Sequence, residues 1–178
     1  MKKLLVLGMM LAGEAQAAGP FSWATTGSTG TVDEDSTSLV QFNGPYVTFR
    51  TSCLAVIVGG ISCEVSRGTV TVRYRVGRLN NAPAFSLTTR FRDGGKNQRV
   101  QLFVKGVDLT SGTESIVFTF DSDTFSPSSD YQTQVTSACP LQLDFDRHTY
   151  YVEAVITNAR AGSSPGLETI DIRGCSTL

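Results

Sequence analysis

Val70, Val72, Tyr74 and Val76 alternate with Thr69, Thr71, Arg73 and Arg75, and the same two-residue period recurs along most of the chain from Leu39 onward. Such alternation puts apolar side chains on one face of a strand and polar ones on the other. Phe85, Leu87 and Phe91 alternate with Ser86, Thr88, Arg90 and Arg92, and Val100, Leu102 and Val104 alternate with Arg99, Gln101 and Lys105. Ile116, Phe118 and Phe120 continue the pattern, followed by Val152, Ala154 and Ile156, and then Ile170 and Ile172. Turn formers punctuate these runs at Asn43-Gly44-Pro45, Asn80-Asn81, Asp93-Gly94-Gly95, Thr110-Ser111-Gly112, Ser126-Pro127 and Ser163-Ser164-Pro165-Gly166. About nine or ten short strands without a helical stretch predict an all-β domain, a two-sheet antiparallel β-sandwich of Ig-like or jelly-roll-like topology. Leu143 to Val152 reads as a penultimate strand entered through a corner tyrosine, with Leu167 to Arg173 as the last strand.

The N-terminus departs from this pattern. Lys2 and Lys3 precede the apolar run Leu4 to Ala12, and Ala15 and Ala17 supply small residues at the positions a signal peptidase reads. Residues 1–17 are therefore expected to be a cleaved signal peptide, and the product secreted or periplasmic. The apolar run is far shorter than the roughly 20 residues that span a membrane, and the longest later run, Leu54 to Ile61, contains Gly59 and Gly60. No transmembrane segment is expected. Glu14 follows Leu11-Ala12-Gly13 where a lipid anchor would need cysteine. Residues 18–37 are rich in Gly, Thr, Ser and acids and are expected to form a flexible lead, with Phe21 and Trp23 available to dock. Residues 38–178 make the single domain.

Cys53, Cys63, Cys139 and Cys175 form an even set without the close spacing of a zinc knuckle or a redox pair. In an exported chain they are expected to be disulfide-bonded. Of the three connectivities, Cys53 with Cys63 and Cys139 with Cys175 is favoured, because Gly59-Gly60 would turn a hairpin that sets Cys53 beside Cys63.

Charge adds a second layer. The chain carries a formal net charge of −1, so a polybasic nucleic-acid binder is not expected. Yet residues 67–105 hold nine basic residues against the single acid Asp93. Arg73 and Arg75, Arg90 and Arg92, and Arg99 and Lys105 all alternate with the apolar positions of their strands. If those strands are neighbours, the six cations share one solvent-facing surface suited to a polyanion, an acidic polysaccharide or an acidic protein partner. The competing account pairs them across strands with acids such as Glu153, Asp171 and Asp121.

Catalytic and cofactor chemistry finds little footing. His148 is the only histidine, and it falls in an expected turn, where a general base or triad member is disfavoured. There is no G-x-S-x-G, no paired histidines and no phosphate-cradling glycine cluster. Asp121 with Asp123, Asp144 with Asp146, and Glu153 are the candidate carboxylates for glycoside hydrolysis, and the two Asp-x-Asp pairs are candidates for calcium, although the twelve-residue calcium loop is absent. No cofactor is expected. Trp23, Tyr46, Phe103, Tyr131 and Tyr151 remain as rings a carbohydrate could stack on. The sequence thus predicts a non-enzymatic envelope or extracellular binding protein. A carbohydrate-binding module and a structural subunit assembling through its sheet edges are the alternatives.

Overall fold

Alternation resolves into paired strands in the computed structural model, which describes residues 22–56, 60–78, 85–137, 143–160 and 164–174. In chain order these hold β1 (Ser22–Thr26), β2 (Thr31–Val32), β3 (Val40–Asn43), β4 (Tyr46–Phe49), β5 (Thr51–Val56), β6 (Gly60–Val65) and β7 (Gly68–Arg75). β8 (Phe85–Asp93), β9 (Gln98–Asp108), β10 (Glu114–Asp121), β11 (Ser128–Ser137), β12 (His148–Asn158) and β13 (Gly166–Gly174) follow. The count exceeds the nine or ten strands expected, because the lead and the region around Tyr46 supply short strands with little alternation to reveal them.

Among the described residues all pairings are antiparallel. One sheet runs β11-β8-β13-β4-β3, with β1 also on β13, and the other runs β10-β9-β12-β7-β2. The alternating apolar residues of both sheets meet in one core that includes Val70, Val72, Tyr74, Phe85, Leu87, Phe91, Val100, Leu102, Val104, Val152, Ile156, Ile170 and Ile172. Phe91 of the first sheet meets Phe120 of the second edge-on at 5.2 Å between ring centroids, and Phe85 meets Phe118 at 5.7 Å. Each fully buried side chain of this size contributes roughly 1.5–3 kcal/mol, and the cross-sheet rings make the domain a β-sandwich.

The expected corner tyrosine is present. The Tyr150 hydroxyl accepts a 2.9 Å hydrogen bond from the backbone N–H of Asp144, fixing the entry into β12. Cys53 and Cys63 face each other across β5 and β6 and are joined by a disulfide. That hairpin forms a two-stranded sheet of its own. Cys139, Cys175 and the whole expected signal peptide lie outside the described residues.

Two expectations need correction. From Ser22 onward the residues assigned to a flexible lead are built into both sheets: β1 pairs with β13 from Ser22 opposite Arg173 to Thr26 opposite Thr169, and β2 pairs with β7. Trp23 packs against the core. The glycines that looked like a disordered composition are close-approach positions, since a Cβ at Gly27 would lie 2.1 Å from the Leu167 carbonyl oxygen and one at Gly30 would strike Val72 and Tyr74. The second correction is Ile116. A bulge between Ile116 and Phe118 shifts the register of β10 against β9, so Phe118 and Phe120 face inward while Ile116 is 57% exposed.

Candidate functional site

The outer face of the five-stranded sheet is built by β7, β12 and β9, with β12 in the middle. Tyr151 stands opposite Arg75 on one side and Lys105 on the other; Glu153 stands opposite Arg73 and Phe103, and Val155 opposite Thr71 and Gln101. Phe103 and Tyr151 are therefore diagonal neighbours on adjacent strands, a separation of about 7–8 Å. Both rings are half-buried and stand on the face away from the core.

Around these rings the charges interlock. Arg73 donates to Glu153 at 2.9 Å and to Asp33 at 2.6 Å, and Lys105 reaches Glu153 at 2.8 Å and Glu114 at 3.1 Å. The Tyr151 hydroxyl donates to Glu114, and the Lys105 ammonium lies 5.8 Å from the Tyr151 ring centroid. Arg99 pairs with Asp121 and, at 3.1 Å, with Asp123. Burial pushes the Glu153 carboxyl up, but hydrogen bonds from Lys105 and Arg73 outweigh it and hold the group below the usual carboxylate range. The hydrogen bond from Tyr151 lowers Glu114 in the same way, and Arg99 lowers Asp121. Arg75 is the exposed cation of this face that carries no ion pair among the described residues.

The six cations do not form one surface. Arg73, Arg75, Arg99 and Lys105 stand on the five-stranded sheet, but Arg90 and Arg92 belong to β8 and stand on the outer face of the other sheet. The order of strands separates them, because β7 and β9 are held apart by β12 and neither neighbours β8. Arg90 pairs with Glu168, and the Nε of Arg92 donates to the Ser164 carbonyl at 2.7 Å. Asp171 pairs with Arg173 and not with the arginines of residues 67–105.

The remaining candidates occupy separate places. His148 opens β12, its Nε2 3.8 Å from Asp108. Asp144 accepts backbone N–H groups of Asp146 and Arg147 in a turn, and Asp146 pairs with Arg78. Among the described residues no group of three or more His, Cys, Asp or Glu side chains is placed to hold a metal ion. An open groove lined by Val32, Val40, Gln41, Phe42 and Arg50 runs between the edge strands β2 and β3. Tyr46 and Tyr131, distant in sequence, meet on the six-stranded sheet with centroids 4.7 Å apart; only the strand order brings them together.

No helix among the described residues is long and apolar enough to cross a membrane. No family model matches the chain, and no curated protein matches it. Among solved structures it is similar to the xylan-binding module CBM15, at 12% identity over 90% of this chain and 100% of that chain, with a TM-score of 0.48. It is also similar to the C-terminal CBM6 of LamC, a marine laminarinase from Zobellia galactanivorans, at 9% identity over 85% of this chain and 98% of that chain, with a TM-score of 0.46. A family 35 carbohydrate binding module from Clostridium thermocellum matches at 14% identity over 87% of this chain and 99% of that chain, with a TM-score of 0.41.

Proposed function

We propose that this domain is a non-catalytic carbohydrate-binding module whose site is the outer face of the five-stranded sheet. The observation that carries the reading is the diagonal placement of Phe103 and Tyr151 on one solvent-facing surface, amid polar groups fixed by their own ion pairs. Sugar rings present apolar C–H faces and a rim of hydroxyls. Aromatic rings match the first, and a few positioned polar groups match the second. Gln101, Arg75 and the outer atoms of the Arg73–Glu153–Lys105 network supply donors and acceptors within the same patch.

The interlocked charges favour a neutral chain over a polyanion on this face. Arg73, Arg99 and Lys105 each already hold a carboxylate, so an anionic ligand would compete with partners held in place. The same pairing opposes catalysis. A general acid needs a raised pKa, and Glu153, Glu114 and Asp121 are all held low. The Cys53–Cys63 disulfide supports an oxidising compartment outside the cytosol.

Affinity electrophoresis through gels containing neutral β-glucans or xylans tests the reading. The wild type should be retarded, and Phe103→Ala and Tyr151→Ala should each weaken binding about tenfold, or about 1.4 kcal/mol, with circular dichroism confirming the fold. No retardation of the wild type by any neutral polysaccharide, or retardation of both variants equal to that of the wild type, would overturn it.

A further inference from the structure

The opposite face of the sandwich carries a second arrangement that the saccharide reading of the five-stranded sheet does not use. Tyr46 and Thr48 point outward from β4, Arg90 and Arg92 from β8, and β13 runs between those strands. Gly166 of β13 pairs with Thr48 on one side and Arg92 on the other. Because Gly166 has no side chain, Tyr131 reaches over it: a Cβ there would lie 2.5 Å from the Tyr131 hydroxyl oxygen. Tyr131 thereby meets Tyr46 at 4.7 Å between centroids, and the Arg92 guanidinium carbon sits 5.2 Å from the Tyr131 centroid.

Arg92 is held by its Nε bond to the Ser164 carbonyl. Among the described residues, its two terminal amino groups have no hydrogen bond and its charge has no carboxylate partner. The neighbouring acid, Glu168, is taken by Arg90. Neither the Tyr131 nor the Tyr46 hydroxyl has a hydrogen-bond partner among the described residues. Burial raises the Tyr131 phenol above its ordinary range, Arg92 opposing the shift, so it stays a protonated donor at neutral pH. A pinned guanidinium with its outer fork unused, beside two unused phenol donors, matches the two oxygens of a carboxylate and the hydroxyls next to it.

We propose that Arg92, Tyr131 and Tyr46 form a second binding site, on the outer face of the six-stranded sheet, for the carboxylate of a uronic acid sugar. The Arg92 terminal amino groups take the carboxylate end-on, and the two phenols donate to the sugar's oxygens. This site stands independently of the Phe103 and Tyr151 face, and either can fail without the other.

Titration of the isotope-labelled protein with trigalacturonate, followed by two-dimensional NMR, tests it. Shifts are expected around Arg92, Tyr131 and Gly166. Arg92→Gln should weaken binding at least about tenfold. Tyr131→Phe, which keeps the ring and removes only the hydroxyl, should weaken it severalfold, and Tyr151→Ala should leave it unchanged. The methyl-esterified trisaccharide should not shift these residues. Binding equal in wild type and Arg92→Gln, retention of the methyl ester, or loss on Tyr151→Ala alone would overturn the proposal. Tyr131→Phe keeps the test decisive if Arg92→Gln disturbs the fold.

Discussion

Tyr74 and Gly27 are joined across the interior of the sandwich: the buried phenol on β7 donates a 2.8 Å hydrogen bond to the carbonyl of Gly27, in the turn that follows β1. One bond thus ties the five-stranded sheet to the segment leaving the six-stranded one. Tyr74→Phe removes this buried hydrogen bond, which should cost about 0.5–1.5 kcal/mol, read as a lower urea midpoint. Burial also pushes the Tyr74 hydroxyl well above the ordinary phenol range. A raised folded pKa means that the contribution is complete below the unfolded value of about 10 and is lost as pH rises beyond it. The variant should therefore unfold less steeply with alkali than the wild type.

Gly27→Ala should be worse than any surface change, because the atom its Cβ meets is backbone. The Leu167 carbonyl oxygen would lie 2.1 Å away and the Val47 amide 2.9 Å away, and neither can turn aside as a side chain could. A loss of more than about 3 kcal/mol is expected, with Gly44→Ala as the comparison, since a Cβ there meets nothing, although its positive φ adds strain of about 1 kcal/mol. Thermal melts of the two variants check the ranking.

The same glycines show where the sequence was misleading. Low apolar content and Gly-Ser-Thr composition describe both a disordered lead and a segment whose backbone is pressed against a core. Only the partners decide, and Val72, Tyr74 and Leu167 lie far away in the chain. Regular alternation, by contrast, was legible because burial of one strand face is a local property, and the inward sets of β7, β8, β9 and β12 were all readable from it.

β10 marks the boundary of that legibility. Period two assigns Ile116 and Phe120 the same environment, but the bulge between Ile116 and Phe118 inverts the face. Ile116→Lys should change stability by no more than about 0.5 kcal/mol, while Phe120→Ala, which removes a fully buried ring, should cost about 3–5 kcal/mol. Chemical denaturation of the pair measures the difference.

Glu153 makes the five-stranded face acid-sensitive. Its carboxyl is held low against the opposing effect of burial by Lys105 and Arg73, so its stabilising contribution is present above the unfolded value of about 4.3 and is lost as pH falls through the lower folded value. Glu153→Gln should be less stable than wild type by about 1–3 kcal/mol at neutral pH, since Arg73 and Lys105 lose the buried carboxylate they share and keep only Asp33 and Glu114. The gap should close below about pH 4. Urea midpoints across pH 3 to 7 test the sign, and a gap that widens on acidification would contradict the pairing.

The candidate site was legible in part. Alternation placed Arg73, Arg75, Arg90, Arg92, Arg99 and Lys105 on outward faces, and all six are outward. Which face each one shares depends on strand order, a non-local property, and the structure splits them between two sheets. Glu153 explains the rest: it sits on β12, more than forty residues beyond Lys105 in the chain, yet between β7 and β9 in the sheet, where it neutralises a surface that segment counting read as strongly basic.

Salt separates the two ways this surface could bind. A polyanion held by Arg73, Arg99 and Lys105 would have to displace Glu153, Glu114 and Asp121, and its remaining attraction would be screened as the Debye length falls from about 10 Å at 0.1 M to about 3 Å at 1 M salt. A neutral polysaccharide stacked on Phe103 and Tyr151 gains from apolar contact and hydrogen bonds, which salt screens little. Its dissociation constant should therefore change less than about threefold, or about 0.65 kcal/mol, between those salt concentrations. Isothermal titration calorimetry at both salts measures this directly. A tenfold or greater weakening at 1 M would mean that the cations, not the rings, hold the ligand, because only their contribution falls with the Debye length while ring contacts persist.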